Sequence, residues 1–171
     1  MTIDRIFIVG LMGAGKSTIG KQLAKVLNKD FVDSDREIEA HTGATIPLIF
    51  ELEGEQGFRR RESEMIDKLT QQTNTVLATG GGAVLNEGNR KLLRERGFVV
   101  YLHATVEQLL ERTRMDRNRP LLQTEDPRAK LEELTKQRDP LYRDVADIIV
   151  DTGKVSIREV VQQLVQKFEA L

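Results

Sequence analysis

The chain contains no cysteine and no tryptophan, and only two tyrosines. Without cysteine there are no disulfides and no thiolate metal sites. Without tryptophan, and with tyrosine so scarce, a stacking platform for single-stranded nucleic acid is not expected. An excess of one charge is missing too, since 26 Lys and Arg stand against 27 Asp and Glu. That balance speaks against a general binder of nucleic acid or of anionic membranes. No apolar run approaches the length needed to cross a bilayer. No positively charged segment precedes an apolar stretch of signal-peptide length. A reducing, aqueous compartment, the cytoplasm, is the expected setting. Repeats, low-complexity tracts and interdomain linkers are lacking as well. The 171 residues are enough for one domain with a real core and leave little room for two.

What is present begins with Gly10-Leu11-Met12-Gly13-Ala14-Gly15-Lys16-Ser17-Thr18. Glycine at the first and sixth positions, then lysine and serine, is the spacing of a phosphate-binding P-loop. The context agrees. Ile6-Phe7-Ile8-Val9 reads as a buried strand before it. Ile19, Leu23, Val26 and Leu27 fall at helical spacing after it. Glycines let successive N–H groups curl toward a phosphate, and the helix N-terminus adds partial positive charge. In such a loop Lys16 reaches the β- and γ-phosphates, and the Ser17 hydroxyl ligates Mg²⁺.

Strand-like runs recur at Ile3–Val9, Phe31–Asp33, Thr75–Thr79, Phe98–His103 and Asp147–Val150, with helical stretches between them. This alternation predicts an α/β fold with a parallel sheet covered on both faces. Ile157, Val160, Val161, Leu164, Val165 and Phe168 form one apolar stripe, expected to cover the sheet. Residues 35–73 are too long for one crossover helix and read as a helical insertion. Residues 113–127 are polar, with Pro120 and Pro127, and read as a mobile loop or lid.

Four further groups carry chemistry. At the end of the second strand, Asp33 and Asp35 are expected on the same side, one for Mg²⁺ through water and one to orient or deprotonate an acceptor hydroxyl. Asp35 also fits a plain helix N-cap. Gly80, Gly81 and Gly82 cost chain entropy unless something passes close to the backbone, as a small ligand over that strand end would; the alternative is a plain loop. The stretch Phe50 to Glu62 holds arginines able to grip a carboxylate through paired hydrogen bonds, with Phe50 and Phe58 as an apolar wall; the alternative is a solvated basic face. Arg112, Arg114, Arg117 and Arg119 cluster near the lid, where an arginine closing over ATP would stabilise a transferring phosphoryl group, or where a screened surface cluster would sit. Pro140, with Leu141 and Tyr142, reads as interrupting or redirecting a helix, and Arg138 as a surface residue.

Taken in order, GLMGAGKST, VDSDREIE, FELEGEQGFRRRE, TGGGAV, RNRPLL and RDPLY make the chain resemble the shikimate kinases over essentially its whole length. The resemblance implies the three-layer P-loop kinase fold of the nucleoside monophosphate kinase type, with a five-stranded parallel sheet in order 2-3-1-4-5. It implies one domain over residues 1–171, an acceptor-binding insertion at about 35–73 and a lid at about 113–127. ATP and shikimate are the implied partners and Mg²⁺ the implied cofactor; a monomer without nucleic-acid or membrane partners is expected. Gly13, Ala14, Gly15, Lys16, Ser17 and Thr18 would hold the ATP phosphates, with Ser17 and Asp33 on the metal side. Asp35 would contact the shikimate hydroxyls as candidate base, Arg59 and Arg138 its carboxylate, Gly80, Gly81 and Gly82 its ring, and Phe50 and Phe58 its apolar side. Arg119 would swing onto the phosphates, while Arg112 and the turn up to Val155 lie at adenine. Gly57 departs from the family, where a side chain often stands, and is expected to loosen the helix carrying Arg59. The rivals are a related gluconate or nucleoside monophosphate kinase, and a nucleotide-binding regulator without phosphotransfer. His41 and His103 receive no role beyond a structural one.

Overall fold

The computed structural model describes residues 2–114 and 120–171. Its elements run β1 (Arg5–Val9), α1 (Lys16–Leu27), β2 (Asp30–Asp33), α2 (Ser34–Thr42), α3 (Ile46–Leu69), β3 (Thr75–Ala78), α4 (Glu87–Arg96), β4 (Phe98–His103), α5 (Val106–Thr113), α6 (Pro127–Val145), β5 (Ile148–Asp151) and α7 (Ile157–Glu169). Short 3₁₀ turns lie at Ala83–Leu85 and Pro120–Leu122. The sheet has the order β2-β3-β1-β4-β5, and every pairing is parallel. Four consecutive residues of β1, Ile6 to Val9, are fully buried, which requires cover on both faces of the sheet. α1 packs with α7, while α4 and α6 pack together and against β4.

Parallel pairing sends all the strand C-terminal ends to one edge, where ligand crevices form in such sheets. β1 delivers the glycine loop there, β2 delivers Asp33, β3 delivers Thr79 and the three glycines, and β5 delivers Thr152. Local sequence fixes where the helices start and stop. Thr105 with Gln108, and Ser156 with Glu159, form reciprocal capping boxes for α5 and α7. Thr45 caps α3, and the Glu39 carboxylate accepts a further bond from Ile46 N at 3.0 Å, fastening α2 to the start of α3.

The structure departs from the sequence reading at three points in the helices. Pro140 neither ends nor redirects α6, which runs through it to Val145. The proline lies on the exposed face, so the carbonyl it leaves without an N–H partner can turn to water. In α3 the break falls at Gly54 (φ 72°, ψ 178°), not at Gly57. That backbone conformation is closed to most side chains. Gly57 is instead helical and buried, and a Cβ there would collide with Glu53. The Glu53 carboxylate passes over Gly57 to Arg61, meeting its Nε at 2.7 Å and its Nη2 at 2.8 Å. Glycine at 57 therefore makes room for an ion pair that splints the broken helix. Around the expected lid, α5 ends at Thr113 and the chain is described again from Pro120, where Leu122 is buried against the core.

Candidate active site

A cavity of about 740 Å³ opens at the C-terminal edge of the sheet. All the site residues expected from sequence line it, apart from Arg119, which lies outside the described residues. At one end sits the P-loop. Lys16 Nζ donates to the carbonyls of Gly10 (2.7 Å) and Leu11 (2.9 Å), so the ammonium is folded over the loop it belongs to. The Ser17 hydroxyl donates to Asp33 Oδ2. The other Asp33 oxygen accepts from Asp35 N (3.0 Å) and Arg36 N (3.3 Å). Asp33, not Asp35, is thus the N-cap of α2. The strand stops at Asp33, so Asp35 reaches the cavity from the first turn of a helix and not by strand alternation.

Arg112 ties two walls of this end together. Its guanidinium donates to Gly13 O (3.1 Å), Thr152 Oγ1 (3.3 Å) and Thr152 O (3.1 Å). Thr152 in turn donates through its hydroxyl to His103 O at 3.0 Å. Val155, Ile157 and Val160 add an apolar lining beside it. Periodicity assigns the last two only to the cover of the sheet. Their second role comes from the position of the α7 N-terminus, which periodicity does not reveal.

The other end is built around two guanidiniums. Arg138 projects inward from α6 and is only 2% exposed, which overturns its reading as a surface residue. Arg59 comes from α3, lies 5.2 Å from the Phe58 ring centroid, and donates to Glu62 Oε1 at 2.9 Å and to Glu55 Oε1 at 3.3 Å. The Phe50 and Phe58 rings pack with centroids 4.9 Å apart and line the same space. The glycine triplet passes beneath. A Cβ on Gly82 would run into the Arg59 guanidinium, and one on Gly80 would come within 2.6 Å of both Asp35 Oδ1 and Glu62 Oε2. Only glycine lets charged groups approach this backbone so closely.

Three supporting residues escape a reading of the sequence. Ser34 Oγ accepts from Gly80 N at 2.9 Å, and the Tyr142 hydroxyl donates to Gly81 O, so the first and middle residues of the triplet are held by side chains. Burial raises the Tyr142 phenol above its ordinary range, with neighbouring Arg138 opposing the shift. Glu62 is the third. It is 1% exposed and its pKa is pushed up to about 7, chiefly by burial, with Arg59 pulling it down and Asp35 pushing it up. Its spacing three residues after Arg59 is the one signal that could have marked it. Arg59 Nε, Arg138 Nε and Glu62 Oε2 are buried and lack hydrogen-bond partners among the described residues. Two cationic donors turned inward in a space beside a phosphate loop suit a small anionic acceptor.

Comparison with known proteins agrees with this geometry. Residues 12–169 match a family model described as shikimate kinase. The shikimate kinase of Burkholderia thailandensis is 58% identical over 164 residues, spanning 96% of this chain and 89% of that protein. A structure of shikimate kinase from Acinetobacter baumannii in complex with shikimate superposes with a TM-score of 0.97 at 51% identity, covering 99% of this chain and 94% of that one. Deoxyadenosine kinase from M. mycoides, at 14% identity and a TM-score of 0.63 over 96% of this chain and 99% of that one, shares the fold alone. With a family match across nearly its full length and relatives this similar, the chain belongs to the shikimate kinase family.

Proposed function

We propose that the cavity transfers the γ-phosphoryl group of ATP to the 3-hydroxyl of shikimate, giving shikimate 3-phosphate and ADP on the way to chorismate and the aromatic amino acids. The observation that carries this reading is the meeting of Arg59, Arg138 and Asp35 in the same cavity as the glycine loop. Shikimate has one carboxylate and three hydroxyls on a ring with apolar faces. The guanidiniums clamp the carboxylate through charge-assisted bonds. Phe50 and Phe58 wall the ring, and the Asp35 carboxylate accepts the bond from the attacking hydroxyl. The amides from Gly13 to Thr18 cradle the phosphates. Lys16 leaves its loop carbonyls for the β- and γ-phosphate oxygens, where its charge offsets that of the transferring group. Arg112 and Val155 flank the base, and Arg119 adds positive charge at the phosphates. Alignment and charge neutralisation are most of what phosphoryl transfer asks of a protein.

Among the described residues no cluster of three or more His, Cys, Asp or Glu side chains could hold a metal by itself. The Ser17 hydroxyl and Asp33 carboxylate, hydrogen-bonded at the edge of the phosphate cradle, are the hard oxygen donors that Mg²⁺ takes when nucleotide phosphates complete its shell. Bound there, Mg²⁺ supplies further neutralisation of phosphate charge. In this reading residues 35–73 form the acceptor-binding part of a single kinase domain and residues 113–127 its lid. Every group named comes from one chain, so a monomer suffices.

An ADP-release assay with shikimate, gluconate, AMP and CMP as acceptors tests the proposal. Turnover with shikimate alone is expected. Turnover with a nucleotide or gluconate and none with shikimate overturns it, and ATP binding without ADP release on any acceptor would mark a regulator.

A further inference from the structure

The acceptor end of the cavity holds more negative charge than a site for an anion needs. Glu62 is buried there, with Oε1 on Arg59 at 2.9 Å and Oε2 lacking any hydrogen-bond partner among the described residues. The charged and titratable groups around it are Arg59 on its own helix, Asp35 from α2, and Arg138 and Tyr142 from α6. Glu55 is a second carboxylate on Arg59, at the exposed side. Glu62 Oε2 and Asp35 Oδ1 both lie within 2.6 Å of one point, the place a Cβ would take on Gly80. Two carboxylates therefore converge on the same bare backbone, facing two guanidiniums.

We infer that Glu62 takes up a proton when the carboxylate of the acceptor enters, so that acceptor binding and protonation of Glu62 are one linked event. The inference rests on shikimate being the acceptor. With Glu62 ionised, and Glu55 standing apart at the exposed rim, the arriving anion is a third carboxylate after Glu62 and Asp35 against two guanidiniums in a space from which it expels water. With Glu62 protonated, the charges match. Its Oε1 still accepts from Arg59, and the hydroxyl at Oε2 becomes a donor, giving that unpartnered corner something to offer a ligand oxygen. Burial already brings this carboxyl to about 7, so little further change in its surroundings moves it across neutral pH. Linkage then sets the pH dependence. Below the free-state value Glu62 already carries its proton and binding takes up none. Above it, each unit of pH weakens acceptor binding by about tenfold until the bound-state value is passed.

Isothermal titration of the wild-type protein with shikimate, in PIPES and in imidazole at pH 7, measures the proton directly. The heats should differ between buffers by the uptake of about half a proton per shikimate bound, falling toward none at pH 5.5 and rising toward one at pH 8. Among the described residues no histidine lines the cavity to mimic that profile. Glu62→Gln should bind shikimate with heats independent of buffer. Binding with equal wild-type heats in both buffers, release of protons, or the same uptake in Glu62→Gln overturns the inference. The wild-type titration decides even if the variant does not fold. Failure of shikimate to bind at all would instead bring down the functional reading, and this inference with it.

Discussion

Glu62 also gives the folded chain a pH dependence of its own, separate from any ligand. Its carboxyl stands at about 7 in the folded protein against an ordinary 4.5. The folded state therefore holds this proton more tightly than the unfolded state does. Below pH 4.5 both states carry it and stability is unaffected. Between pH 4.5 and 7 the unfolded chain has released the proton and the folded chain has not, so stability falls as pH rises. Above 7 the loss is complete. Each pH unit between those two values costs about 1.36 kcal/mol, so the whole change is about 3 kcal/mol, a large part of the stability of an ordinary domain. Glutamine in place of Glu62 keeps the acceptor oxygen for Arg59 but cannot titrate. Urea unfolding of the ligand-free wild type and Glu62→Gln at pH 5, 6, 7 and 8 isolates the effect of Glu62 and its coupling to Asp35, because carboxylates remote from Glu62 cancel in the difference. The variant should gain on the wild type from pH 5 to pH 7, by about 2–3 kcal/mol in total, and level off toward pH 8. A difference that stays flat from pH 5 to pH 8 would refute the assignment of this group as a buried, reluctant anion.

Lys16→Met should lower turnover by about 100-fold or more through lost phosphate stabilisation, and steady-state kinetics showing an unchanged kcat would contradict the role given to the loop. Arg59→Ala removes a charge-assisted clamp worth about 1.5–3 kcal/mol; the KM for shikimate should rise by about 10–100-fold with ATP affinity nearly intact, and equal weakening of both would point to damage in α3. Tyr142→Phe removes the hydroxyl that a buried side chain donates to the part-buried Gly81 carbonyl, so urea unfolding should show a loss of about 0.5–1.5 kcal/mol. A loss below about 0.5 kcal/mol would mean that the bond contributes no more than a surface contact.

The architecture is legible in the sequence because it rests on periodicity and on glycine. The strand expected at Phe98–His103 is the one observed, and those expected at Ile3–Val9 and Thr75–Thr79 are trimmed only at their ends, to Arg5–Val9 and Thr75–Ala78. The parallel sheet stands as the alternation predicts, and its strand order as the family resemblance implies. Residues meant for one cavity are legible through local motifs and the family resemblance, and the described ones, Arg119 not among them, do line it. What stays hidden depends on tertiary packing. By residue pattern alone Arg138 and Glu62 look like ordinary polar positions of charged helices; the family resemblance marks Arg138 but not Glu62, and only the docking of α6 and α3 against the glycine triplet buries them. Helix starts are the other blind spot. Asp33 and Asp35 are equally good caps by residue type, and the choice falls to Asp33 because the strand ends there. Pro140 looks like a stop signal, yet α6 tolerates it on the solvent side. Gly54 and Gly57 look alike in sequence, and only backbone geometry separates the break from the space-maker.

The double engagement of Asp33 has an experimental consequence. One oxygen holds the Ser17 hydroxyl of the phosphate loop, and the other holds the first amides of the helix that presents Asp35. Donor and acceptor halves of the reaction are thereby hinged on a single side chain. Exchange at position 33 will disturb nucleotide loading and alcohol alignment in the same stroke. A defect seen there cannot be credited to the proposed metal contact alone, whereas Ser17→Ala leaves the Asp35 and Arg36 amides on Asp33 in place and spares the acceptor side.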